Sequence, residues 1–147
     1  MPFVVATLAL PVIIPPLAYL AAAFGAGLGF AEAFAGMLGQ IGGRPALLTP
    51  ALLTLAPLLV YLAVLRFLRR KDPEGRWLPF GSWCGLVPSL ALILWANLQV
   101  WPSRLPGMTP PGWPHGLELV IVPIFWVPVS LVAGTVVGAL VARTRGA

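Results

Sequence analysis

Few side chains in this chain could do chemistry, and they are far apart. Its 147 residues hold four carboxylates, one histidine and one cysteine. Glu32 is the carboxylate with the strongest implication, because no charged side chain precedes it and it lies in a glycine-rich, apolar stretch. Inside a bilayer an ionisable group is costly, and it marks a proton- or cation-coupling residue. At the surface, near Arg44, the same residue would be a solvated carboxylate. His115 stands between Trp113 and Glu118. An imidazole there could ligate the metal of a haem or chlorophyll, with Glu118 as the group that orients it. An interfacial histidine without a ligand is the simpler reading, and it is preferred.

Other chemistries fail on residue type or spacing. Cys84 and His115 fall at opposite ends of the expected crossings, so they cannot act as nucleophile and base. Asp72 is the only aspartate, whereas an intramembrane aspartyl protease needs two that meet. The glycines at 25, 27 and 29 have neither the preceding strand nor the following Lys-Ser or Lys-Thr of a phosphate-binding loop. A lone cysteine excludes an internal disulfide framework and a cysteine-rich metal site. Asn97 and Gln99 read as polar residues that pack helices, at about 1 kcal/mol or less each. No catalytic residue or metal site is expected, and the chain reads as a non-enzyme.

The elements that must position these residues are membrane helices. With 59% hydrophobic and only 9% charged residues, the chain lies far from a soluble domain, where roughly a quarter are charged. The formal charge of +5 is gathered beside apolar segments, a placement that membrane topology explains without a nucleic-acid partner. The fold expected is all-α and polytopic, a single membrane domain with four proline-kinked transmembrane helices at about residues 3–24, 46–68, 80–101 and 117–142. The chain start lacks a positive n-region and reads as a retained span.

Pro11, Pro15 and Pro16 leave two arrangements for the first third of the chain. In the preferred one, a kinked helix crosses over residues 3–24, and segment 25–43 forms an interfacial or re-entrant helix. In the other, the crossing begins at Pro15-Pro16 and carries Glu32 into the membrane. One helix over residues 3–38 would be about 54 Å long, too long for a core of roughly 30 Å.

A basic connector, Arg66 to Arg76, sets the direction of the spans. Residues 69–79 read as a cytoplasmic loop and the proline-rich 102–116 as an external one, with both termini cytoplasmic, as in a bacterial inner membrane. Trp77 and Trp83, with Trp101 and Trp113 toward the other side, read as interfacial anchors. Ser130, Gly134, Gly138 and Ala142 recur at every fourth position and form one helical face of small residues. That face could join helices within the chain or dock a partner.

Two functions follow as expectations. The leading one is a non-catalytic accessory or scaffolding subunit of a larger respiratory or photosynthetic membrane complex, in contact with membrane lipid and other transmembrane subunits. The competing one is a small proton- or cation-coupled transporter or channel, working as a homo-oligomer with Glu32 as coupling residue.

Overall fold

Apolar runs of about 24 residues become helices of that length in the computed structural model, which describes residues 2–42, 47–72, 75, 77–108 and 116–144. All regular elements among them are helical, and four are long and apolar enough to cross a membrane. Helix α1 is Pro2–Gly25, α2 is Phe30–Gly42, α3 is Leu48–Lys71 and α4 is Trp77–Val100. A 3₁₀ turn at Trp101–Arg104 extends α4, and α5 covers Glu118–Thr144.

The preferred arrangement of the first third matches this order, because α1 ends and α2 begins as a separate helix. A glycine makes the break. Gly27 has φ +82°, open to glycine at little cost. Leu28 N–H donates to Ala23 O and Gly27 N–H to Phe24 O, each at 3.0 Å, which is the Schellman pattern of bonds. Helix α2 then returns alongside α1, burying Ala33 and Met37 and setting Gly36 against the Tyr19 hydroxyl. Its 13 residues reach about 20 Å, less than a full crossing.

The loop expected at 69–79 is shorter, because α3 runs on to Lys71 and α4 begins at Trp77. Arg69, Arg70 and Lys71 continue α3 by a turn, and cations at a helix C-terminus meet the negative end of its dipole. Asp72 ends the helix with its N–H still bonded to Leu68 O at 2.9 Å. Only five residues then separate α3 from α4, so the two run antiparallel.

Helix α1 runs parallel to α4, with the Phe3 ring 5.1 Å from Trp83 and Tyr19 5.8 Å from Trp101. Helices α4 and α5 are antiparallel, with Gly81 opposite Gly138 and Gly85 opposite Gly134. The bend expected from Pro123 and Pro128 takes the form of a π turn at Val122–Trp126. Pro128 has no N–H to offer Ile124 O, and the next donor, Val127 N–H, bonds five residues back to Val122 O.

Candidate functional site

The side chains that organise this bundle converge at Tyr61 on α3. Its ring lies 6.5 Å from Phe3 of α1, and its hydroxyl reaches Thr135 of α5 at 2.5 Å and the Ser82 carbonyl of α4 at 3.3 Å. The Thr135 hydroxyl donates to Leu131 O at 2.6 Å, so its oxygen is left to accept the Tyr61 proton. All four long helices therefore meet around one phenol. A double-mutant cycle with Tyr61→Phe and Thr135→Val, read by unfolding in mild detergent, is expected to give a coupling of about 0.6 kcal/mol and no more than ~1.7. Strict additivity would mean that the contact contributes nothing.

Beside this node, α4 and α5 touch backbone to backbone. Of the stripe Ser130, Gly134, Gly138 and Ala142, the two glycines face α4, so this part of it joins helices within the chain. A Cβ on Gly138 would stand 2.8 Å from Gly81 Cα and 2.8 Å from Cys84 Cβ. A Cβ on Gly134 would strike the Cys84 carbonyl oxygen. That oxygen lacks the usual donor four residues on, because that residue is Pro88. Glycine at 134 lets the two backbones come to the separation at which weak Cα–H···O contacts recur between helices. The complementary surface on α4, Gly81-Gly85-Ser89, escaped the sequence reading although it has the same four-residue spacing.

Helices α3 and α5 stand further apart, and an open groove of about 530 Å³ runs between them. Val60, Val64 and Leu68 form one wall, and Val132, Val136 and Leu140 the other. Leu131, Tyr61 and Thr135 lie at its base, where the two hydroxyls satisfy each other. Trp77 and Arg143 close the end toward which α3 and α5 both run. That end also carries exposed Arg66, Arg69, Arg70 and Lys71. Of the nine cations in the chain, seven belong to the α3–α4 connector region and the α5 terminus, against Asp72 and Glu74; Arg44 and Arg104 balance Glu32 and Glu118 elsewhere. Among the described residues, Arg143 therefore lines the groove, and the exposed cations of the last turns of α3 lie at the same end.

The singled-out residues are scattered. Glu32 is exposed in the first turn of α2, outside the four long helices, where a carboxylate suits the positive end of the dipole. His115, Trp113 and Arg44 lie outside the described residues. Glu118, expected to orient His115, accepts the Gly116 N–H at 2.8 Å through Oε2 and so shapes the entry to α5. Trp77 is half-buried at the groove end, and Trp83 is partly exposed against Phe3.

Trp101 departs from its expected place as an interfacial anchor. It is 0% exposed, and its Nε1–H donates to Asn97 Oδ1 at 2.9 Å while its ring packs edge-on against Tyr19. A buried indole needs an acceptor, and the buried Asn97, one turn earlier, supplies it. Asn97 also donates to Ile93 O at 2.8 Å, so its bonds stay within α4 and its extension instead of crossing to another helix. Gln99 is exposed. Among the described residues, no group of three or more His, Cys, Asp or Glu side chains could hold a metal ion. No protein-family model, curated protein or solved structure matches the chain.

Proposed function

We propose that the chain is a non-catalytic accessory or scaffolding subunit of a larger membrane-embedded complex of respiratory or photosynthetic type. It crosses a bacterial inner membrane four times with both termini cytoplasmic. The membrane reading is supported by what the helices leave uncovered, since only 22% to 39% of each apolar window is buried within the chain. Water would not tolerate so much exposed apolar surface on a soluble monomer, whereas lipid chains and neighbouring helices cover it. The cation-rich end then faces the cytoplasm.

The observation that carries the scaffolding reading is where the polar side chains of the long helices go. Thr7, Thr54, Ser82 and Ser89 bond to carbonyls of their own helices, Asn97 pairs with Trp101, and Thr135 with Tyr61. Each of these bonds serves packing. Helix α2 adds an outward surface, where the Phe30 ring stacks on Phe34 at a centroid distance of 5.9 Å and on Phe24 of α1 at 6.3 Å. At 72% exposure, Phe30 offers a neighbouring subunit a large apolar contact.

The test is native mass spectrometry of the chain extracted from its own membranes in mild detergent. Companion polypeptides are expected, and their loss on Phe30→Ala would place the contact on α2. A chain that migrates alone would count against the reading. Glu32→Gln is expected to leave assembly unchanged; ion-coupled uptake by reconstituted pure protein that this variant abolishes would establish the transporter instead.

A further inference from the structure

We propose that the groove between α3 and α5 is a binding site for one anionic phospholipid of the cytoplasmic leaflet, with an acyl chain along the valine and leucine walls and the phosphate at Arg143. The proposal rests on the membrane placement above and is independent of any partner subunit.

Length is the first support. From Pro128 to Arg143 the α5 wall rises about 22 Å, within a hydrocarbon core roughly 30 Å thick. A chain that enters at the charged end therefore has a wall along its length and runs out of groove at Pro57 and Pro128, inside the bilayer. Chemistry is the second. The walls are aliphatic, and the two hydroxyls at the base are hydrogen-bonded within the protein, so the floor offers a lipid tail no unmet polar group. The volume of about 530 Å³ falls within the ~300–1,000 Å³ usual for small-molecule sites.

Charge selects the occupant. Arg143 lines the mouth itself, and its guanidinium can engage a phosphate through two parallel N–H donors. Arg66, Arg69, Arg70 and Lys71 are exposed on the last turns of α3 at the same end of the bundle, and Asp72 is the one described carboxylate there. A zwitterionic headgroup would bring its own cation into this field. A phosphatidylglycerol-like headgroup, with net negative charge, would not. Trp77 sits at the same level, where an amphipathic ring suits the headgroup boundary.

The experiment places the full chain in phosphatidylcholine nanodiscs and adds trace spin-labelled phosphatidylglycerol or phosphatidylcholine with identical chains. The motionally restricted fraction is then measured by electron spin resonance. Phosphatidylglycerol is expected to be restricted in preference, and Arg143→Gln to weaken that preference about fivefold. Val136→Trp, which fills the groove, is expected to abolish it, and Val137→Trp, outside the lining, to keep it. If Val136→Trp does not fold, Val64→Trp on the opposite wall makes the same test. Equal restriction of both lipids, or an undiminished preference in a folded groove-filled variant, overturns the site. Recovery of the chain in the aqueous fraction after an alkaline carbonate wash would instead overturn the membrane placement.

Discussion

Gly134→Leu is expected to push α4 and α5 apart and to lower the unfolding free energy by roughly 3 kcal/mol or more, at the top of the usual range for overpacking. The reason is backbone, not side-chain, crowding. The first added carbon meets the Cys84 carbonyl and stands 2.8 Å from Gly85 Cα, and neither atom can swing aside as a flexible side chain would. The helices must separate, and the close packing of α5 on Cys84 and Gly85 is then lost. Gly39→Ala is the internal control. Nothing lies within 4 Å of the added methyl there, and α2 should gain about 0.5–1 kcal/mol from the better helix former. Detergent-titrated unfolding followed by circular dichroism reads both changes, and a Gly134→Leu loss no larger than that of an exposed α5 substitution would mean that the two helices do not touch there.

Trp101→Ala is expected to cost about 3–5 kcal/mol, the range for removing a large aromatic side chain from a packed interior. The loss has three parts: the buried indole surface, the edge-on contact with Tyr19, and the acceptor Oδ1 of Asn97 left without its donor. Trp101→Phe separates them. It keeps a ring against Tyr19 but removes the N–H together with part of the indole, so a smaller loss of about 1–3 kcal/mol is expected, the range for leaving a buried polar atom unsatisfied. A tryptophan at the membrane rim behaves otherwise, since its alanine variant would exchange one partly wet surface for another. A Trp101→Ala loss below roughly 1 kcal/mol would return the residue to the rim.

Those two positions also show what residue order can and cannot reveal. Four long apolar runs, and a separate helix after the first of them, were legible because length and glycine placement constrain the backbone directly. The stripe through Gly134 and Gly138 was legible for the same reason: a four-residue spacing defines a face. Its meaning was not, because a small-residue face fits a helix of the same chain as well as a foreign one. The partner face was present in Gly81, Gly85 and Ser89, and matching the two by spacing would have paired α4 with α5.

Trp101 was misplaced because a tryptophan near the end of an apolar run has the same local pattern whether its ring points outward or inward. Only the position of Tyr19, more than eighty residues earlier, decides. Tyr61 gave no signal at all, being one hydroxyl in an aliphatic run whose partners lie on other helices. The groove is likewise a property of two helices that do not quite meet, and no single segment encodes it. Glu32 and His115 drew attention as rare residue types, yet rarity says nothing of depth.

The π turn in α5 has a consequence for how the chain can tolerate changes in length. Each residue inserted into a regular helix rotates everything beyond it by about 100°. An insertion near Val132 would therefore carry Gly134 and Gly138 away from α4. The wide turn at Val122–Trp126 already holds a bond to the fifth residue back and can take up or release a residue by changing its width. Insertions and deletions there leave the phase of the glycines intact, so this turn is where the first segment of α5 can vary without undoing its pairing with α4.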